Sequence, residues 1–434
     1  MTAEAGEAMD PTAGETRRYD VLVVGGGPAG LSAAEAAAKT GARVALLERR
    51  KEIGYPVHTS GGSWISDMKA LGIPSDLYHP IRGVTFLSPN RSARFDYDEP
   101  VCCVLDVRGV YQYVAGRAVA AGAELHPGSP VERPIVEDGR IVGVLAKDHR
   151  NRVGEWRAPV VIDASGFSST LVTRVGLRKG FQRYGYGAEY DLMAPNYDQG
   201  MLYLIMGSQV APSGYAWAFP RGRGRVRLGV GVIRPDVDAD AREYLDTFTE
   251  RLPNLAPDFK GASPVEYHTG LFPSEGVVES FVRDGLIATG DAAGQGSTLV
   301  GEGIRFALYS GAMAGAVAGE AALAGDPSAE RLARYERQWR ARFGREMEIS
   351  YTVNQRIARW TDAQWDEGMD LLARLTPAQA AELLRGDYSV SLFLAVLRRN
   401  PSLLRTGARK FFDLAMQRLG KSTPLTDAEV ATGA

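Results

Sequence analysis

The residues best suited to chemistry fall in two glycine-rich turns. The first, Gly25-Gly26-Gly27-Pro28-Ala29-Gly30, is a G-x-G-x-x-G match. Gly25 permits a tight turn, Gly27 lets a pyrophosphate reach the backbone, and Gly30 lets the next helix pack closely on its strand. The start of that helix faces the anion with unpaired N–H groups. Glu48 stands 18 positions after Gly30, where a carboxylate accepts from ribose hydroxyls. The second turn lies in Gly285 to Leu308, GLIATGDAAGQGSTLVGEGIRFAL. Gly290-Asp291 ends a strand there, and a helix begins near Gly303-Ile304. An NAD enzyme has no use for this second site. FAD has: an Asp at a strand end binds ribityl hydroxyls, and a helix N-terminus suits the electron-rich edge of a reduced flavin.

The elements around these turns follow from periodicity. Tyr19 to Val24 reads as a strand, Ala29 to Lys39 as an Ala-rich helix closed by Thr40-Gly41, and Arg43 to Leu47 as a second strand ending at Glu48. Together they make one βαβ unit. Arg108 to Ala121 reads as a helix with Tyr111, Val114, Ala115 and Ala118 on one side. Val131 to Ala146 reads as a hairpin turning at Glu137-Asp138-Gly139, and Val160 to Ile162 as a buried strand. Residues 181–275 are rich in aromatic residues and period-2 alternation, which predicts a mostly antiparallel sheet. A long helix is expected from about Glu302 to Ala324, and helices from Pro327 to about Gly420. The fold class is α/β. A Rossmann-like dinucleotide-binding domain (19–180 and 276–326) carries an inserted antiparallel-sheet substrate domain (181–275) and a helical C-terminal region (327–420), between tails at 1–18 and 421–434.

With 434 residues the chain exceeds one average domain, and 45% apolar with 24% charged residues excludes a disordered or fibrous class. Its 50 glycines, without a collagen period, suit turns and close backbone approach to a large cofactor. A net charge of −2 gives no global electrostatic case for nucleic acid. Cys102 and Cys103 are adjacent, which opposes a disulfide between them, and the five His have no metal-ligand spacing. This reads as a reduced, cytoplasmic chain. The first 18 residues lack an apolar run and are read as a polar tail rather than a signal peptide. The uncharged stretch from Gln199 to Pro220 is broken by Gly and Pro, so it is read as strand–turn–strand and not as a membrane span.

The paired motifs resemble the glutathione-reductase-type FAD fold. Tyr215-Ala216-Trp217-Ala218-Phe219-Pro220, together with GDAAG…GEGI, resembles the geranylgeranyl reductase family. The stretch Ala381 to Leu404 is similar to that family's helical C-terminus, so the resemblance spans about residues 19–415. It implies an FAD enzyme that reduces C=C bonds of a geranylgeranyl or similar hydrophobic substrate by hydride transfer. The implied cofactor-binding set is Gly25, Gly27, Ala29, Gly30, Glu48, Arg49, Thr59, Arg108, Val131, Asp163, Gly166, Gly290, Asp291, Gly303 and Ile304. Tyr215, Trp217 and Phe219 share one face of a strand and form the implied substrate wall. Two features depart from the family: Thr59 stands at or near the place of a Cys, and Ser297-Thr298 replaces an Asn-Pro. His58 is read as a loop residue. No proton donor is assigned.

Three readings remain open on sequence: an isoprenoid reductase, an aromatic-hydroxylase-like monooxygenase or other tailoring flavoenzyme, and a non-catalytic prenyl-binding protein. The expected partners are a hydrophobic, isoprenoid small molecule and an external electron donor, NAD(P)H or ferredoxin. From Asp326 to Lys421 the chain has 17 basic and 12 acidic residues, which would allow peripheral contact with an anionic membrane.

Overall fold

The structure is a computed structural model that describes residues 16–389 together with residues 392, 394 and 398. The tail 1–15, the tail 421–434 and most of the helical stretch after residue 389 lie outside the described residues.

The first βαβ unit is β1 (Val21–Val24), α1 (Pro28–Lys39) and β2 (Val44–Glu48). Pro28 follows the N-cap Gly27, a position where its missing N–H costs nothing and its fixed φ suits the helix. There follow β3 (Gly83–Leu87), β4 (Ser92–Asp96), α2 (Val107–Ala120) and β5 (Val160–Asp163). Five long strands come next: β6 (Tyr184–Met193), β7 (Met201–Gly207), β8 (Ala211–Gly222), β9 (Arg225–Arg234) and β10 (Ser263–Pro273). The chain then returns through β11 (Leu286–Ala288) to α3 (Ile304–Leu323), and continues as α4 (Ala329–Trp339), α5 (Arg345–Ile357), α6 (Asp362–Leu372) and α7 (Pro377–Arg385).

Two sheets dominate. In the first, β11, β5, β1, β2 and Glu124–Pro127 lie side by side and parallel, with Val282–Arg283 antiparallel on the outer edge of β11. Every residue of β1 and β5 is buried, as a parallel sheet covered on both faces requires. The second sheet runs β10-β6-β9-β8-β7-β3-β4. All its pairs are antiparallel except β7 with β3, where Met201 faces Gly83. The sheet expected from 181–275 therefore recruits two strands from far upstream. Their short alternating pattern, with Ala93 and Phe95 inward, gave no local sign of that partner.

α3 lies directly on α1. A Cβ at Gly311 would come within 2.1 Å of Ala29 O, and one at Gly315 within 2.1 Å of Ala33 O. Ser32 Oγ donates to Leu308 O at 2.7 Å across the same seam. Among the described residues α3 is the one helix long and apolar enough to cross a membrane, yet it is mostly buried in this core.

Two expected boundaries change. Arg17–Arg18, read as tail, pair in parallel with Trp156–Arg157, and the Arg17 guanidinium lies 4.3 Å from the Trp156 ring centroid. The helical region is not a separate body: Leu332, Tyr335, Trp339, Phe343 and Met347 belong to the same core as β1 and α1, while Met369, Leu375 and Ala380 join the core beneath β3 and β8.

Candidate active site

Both glycine-rich turns open on one cavity of about 570 Å³. On one side it is lined by Gly27, Ala29, Thr59, Gly166, Asp291, Gly303 and Ile304, and on the other by Tyr215, Trp217 and Phe219. Ten of the residues singled out in the sequence thus face one space.

The first turn is shaped by backbone contact. Gly25 has φ +112°, and a Cβ there would lie 2.3 Å from Ala164 O. A Cβ on Gly30 would lie 1.9 Å from Gly25 O. Gly27, by contrast, has open space above it, and no side chain caps α1. The first N–H groups of α1 are therefore left for an anion. Glu48 holds the turn: its carboxylate accepts from Gly26 N at 2.6 Å and Arg50 N at 2.6 Å. Glu48, Arg49, Arg108 and Val131 do not line the cavity but gather near the end of β2. Ser129 N donates to Glu48 O at 2.7 Å, and Arg108 pairs with Glu52 at 2.9 Å beside Gly54.

The second turn carries Asp291. Its carboxylate has no hydrogen-bond donor among the described residues, and burial in the cavity wall pushes its pKa up to about 6. Donors from a polyol would relieve that. Gly303 caps α3, whose first N–H groups point the same way. Tyr335 Oη pins the turn from α4 by bonds to Thr289 Oγ1 at 3.0 Å and Gln295 Oε1 at 2.9 Å. These features fit FAD: an anion cradle, a ribityl acceptor and a second helix N-terminus along one cavity.

Two expected cofactor residues have other tasks. Asp163 is fully buried, and its carboxylate accepts from Ser165 N, Ser165 Oγ, Leu171 N and Val172 N at 2.6–3.1 Å. Its lone pairs are spent on its own loop, so it orders Gly166 rather than meeting a ligand with its side chain. Gly290 is buried, with Ala29 Cβ 2.8 Å from where its own Cβ would be, so it brings the two turns together.

The opposite wall is built by cross-strand register. Tyr215, Trp217 and Phe219 alternate along β8 and face one way, with ring centroids 5.7 and 6.2 Å apart. Trp217 lies opposite Gly229 on β9, Gly229 opposite Glu189 on β6, and Glu189 opposite His268 on β10. A Cβ on Gly229 would come within 2.2 Å of the Trp217 ring, so the indole rests on glycine and reaches across to Glu189. Trp217 Nε1 donates to Glu189 Oε2 at 3.0 Å. Two residues along each strand, the next row is Phe219, Arg227, Asp191 and Glu266. Arg227, 1% exposed, donates to Thr59 O at 3.2 Å and Ser60 O at 2.7 Å, so this wall also holds the Thr59-Ser60 loop. Burial lowers its pKa against the pull of Glu189 and Asp191.

Glu189, His268, Arg227, Asp191 and Glu266 were not found from the sequence, because no two of them sit in one motif. The glycine pairs Gly185-x-Gly187 and Gly229-x-Gly231 were a usable sign, since small residues at period 2 leave a groove along a sheet. Tyr215 Oη donates to Val300 O at 2.5 Å, tying β8 to the second turn, and burial raises its pKa. His58 lines the cavity with Nδ1 3.0 Å from Thr269 O.

Comparison with known proteins agrees with this geometry. The model of the FAD dependent oxidoreductase family matches residues 20–181, and that of the geranylgeranyl reductase catalytic domain matches residues 184–271. The chain belongs to the geranylgeranyl reductase family of FAD-dependent oxidoreductases. It is 34% identical over 396 residues to digeranylgeranylglycerophospholipid reductase 2 of Methanothermobacter thermautotrophicus, covering 89% of this chain and 98% of that one. A geranylgeranyl bacteriochlorophyll reductase-like protein of Thermoplasma acidophilum superposes with a TM-score of 0.82 at 27% identity, over 92% of this chain and all of that one. p-Nitrophenol 4-monooxygenase of Pseudomonas putida, at 19% identity and TM-score 0.64 over 88% of this chain and 98% of that one, shares the fold alone. The protein is thus an enzyme, an oxidoreductase, and FAD is its cofactor.

Proposed function

We propose that the enzyme saturates C=C bonds in the geranylgeranyl chains of a glycerophospholipid or a similar isoprenoid lipid. One observation carries the reading: the cavity that begins at Gly27 and Asp291 continues past Trp217 and Phe219 to Trp365, Leu372, Leu383 and Leu384. A cofactor space thus runs without a break into an apolar channel, as a long hydrocarbon chain needs. The named function of the methanogen relative supports the lipid class.

Reduced FAD, when bound, supplies the hydride. The protein's own residues do the rest. The α1 N-terminus and Glu48 would hold the dinucleotide, and Asp291 and the α3 N-terminus would hold its flavin end. Trp217 and Phe219 line the path of the chain, and the apolar walls exclude water from the reacting bond. An external donor, NAD(P)H or ferredoxin, completes the cycle in this reading, because no separate NAD(P)H motif is apparent in the sequence. The cytoplasmic face of a membrane is the proposed location. α4 buries Leu332, Tyr335 and Trp339 and turns Arg331 and Arg337 outward, and such arginines suit anionic headgroups.

The test is direct. Purified FAD-loaded enzyme, chemically reduced without oxygen and mixed with digeranylgeranyl glycerophospholipid, is expected to yield products heavier by two hydrogens per saturated bond. An unchanged lipid, or one that gains oxygen when air is admitted, would overturn the proposal in favour of a monooxygenase.

A further inference from the structure

We propose that Glu189 is the proton donor of the saturation step, and that His268 and Glu266 refill it from solvent. This rests on the reading that the enzyme reduces alkenes. Each double bond takes a hydride, with its electron pair, at one carbon; the π pair remains on the other carbon and takes a proton. The reduced cofactor accounts for the hydride, so a proton source must also open on the cavity.

Thr59 on the cavity wall carries a hydroxyl, which does not titrate near neutrality. The other acids on the cavity wall are poor donors. Burial pushes the Cys102 thiol up to about 12 and raises Cys103 further. Tyr215 is raised by burial and gives its proton to Val300 O, and Tyr111 is raised by burial beside Asp291. Asp291 serves the cofactor side, and Glu302, also on the wall, is ion-paired with Arg305 at 3.0 Å and accepts from Ser63 Oγ. His58 is exposed and joins no interior acid.

Glu189 is different. It is 3% exposed, lines the cavity, and ends a continuous line to solvent. Its Oε1 lies 3.1 Å from His268 Nδ1, and His268 Nε2 lies 3.0 Å from Glu266 Oε2. Glu266 is 43% exposed on the edge strand β10. The His268 imidazolium gives its Nδ1 proton to Glu189 Oε1 as Glu189 passes its own to the carbon that keeps the π pair; the neutral ring that is left moves its remaining proton to Nδ1 by tautomer exchange, and Nε2 then takes a new one from Glu266 or water. Each turnover takes one proton from solvent. Burial disfavours the charged imidazole, but the bonds to Glu189 and Glu266 outweigh it and hold its pKa above the ordinary value.

The surrounding charges are fixed by the same sheet. Arg227 Nε on β9 is 3.9 Å from Glu189 Oε1 and 3.6 Å from Asp191. Arg225 bonds Asp191 at 2.9 Å and Glu266 at 3.0 Å, and Arg221 on β8 pairs with Asp191. Because Arg227 also binds Thr59 O and Ser60 O, the acid pair is one guanidinium away from the Thr59-Ser60 loop on the cavity wall.

The test uses FAD-loaded E189Q, H268Q and E266Q beside the wild type. Three quantities are read: flavin content, the pH profile of alkene saturation, and the His268 titration by NMR in the oxidised protein. E189Q is expected to keep its flavin, lose about 100-fold or more in rate, and shift the His268 midpoint downward. H268Q should lose the fall in rate that the wild type shows as pH rises through the His268 midpoint, and E266Q should move that fall to lower pH, because Glu266 helps keep the imidazole charged. E189Q with a wild-type rate and profile, or an unchanged His268 midpoint, overturns the relay. If E189Q does not load flavin, E266Q decides at the exposed end, where a wild-type profile overturns the proposal and an alkaline limb moved to lower pH supports it. A wild type that saturates nothing condemns the reading of the function, which is a different failure.

Discussion

The two walls of the cavity are built in different ways. The cofactor wall is made of short runs: Gly25 to Gly30, braced from behind by Glu48, and Gly290 to Ile304 each act within one turn and its adjoining helix. The opposite wall is made of rows that cross four strands, so Trp217, Gly229, Glu189 and His268 meet only through register. A local motif survives the loss of one side chain but not the intrusion of a Cβ into its turn. A register row tolerates backbone change poorly at its glycines and transmits each side-chain change to its neighbours.

The largest effect is expected at Gly30. Gly30→Val puts atoms within 1.9 Å of Gly25 O, so α1 must leave β1. The variant should lose flavin altogether, read as a colourless protein, and melt far below the wild type. A yellow, stable G30V would break the account of the cofactor wall.

On the other wall, Trp217→Ala should cost on the order of 3 kcal/mol in stability, the low end for a Trp because the ring is only partly buried. Denaturant melts measure this. Flavin content is expected to hold where the variant is still folded, while lipid turnover falls sharply. Loss of flavin in proportion to loss of turnover would show that the two walls are not separable.

Asp291 gives a smaller and opposite effect. Its folded pKa of about 6 is raised above the ordinary value near 3.8. The stabilising contribution is therefore fully present below about pH 4 and is lost as pH rises through about 6. In flavin-free protein, Asp291→Asn should raise stability at pH 7 by on the order of 2 kcal/mol while weakening flavin binding. A flavin-free D291N no more stable than wild type would show that cavity water already solvates the carboxylate.

The smallest effect is that of His268. Its raised pKa means that its contribution to stability is present below about pH 6.5 and fades as pH rises through the folded value. H268Q should therefore be most destabilised near pH 6 and approach the wild type at alkaline pH. A destabilisation that does not change with pH would point to lost packing alone.

The same contrast decided what was legible in the sequence. The βαβ unit, the second turn and the aromatic alternation of Tyr215, Trp217 and Phe219 are all encoded within short windows, and the structure brings them to one cavity. Partners from distant segments were not legible. β3 pairs in parallel with β7 across more than a hundred residues, and no periodicity names its partner. Glu189 and His268 read as ordinary polar residues of alternating strands until register sets them opposite each other. Asp163 misled for a related reason: its place at a strand end was legible, but the direction of its carboxylate, toward Leu171 N and Val172 N, was not.

The central claim is that the two walls enclose one reductive site for a hydrocarbon chain. The most direct measurement is the absorbance of the bound flavin, reduced without oxygen and then mixed with digeranylgeranyl glycerophospholipid under the same conditions. The flavin should return to its oxidised yellow form, with one equivalent reoxidised for each double bond saturated. A flavin that stays reduced until oxygen is admitted, with every double bond intact, would contradict the account.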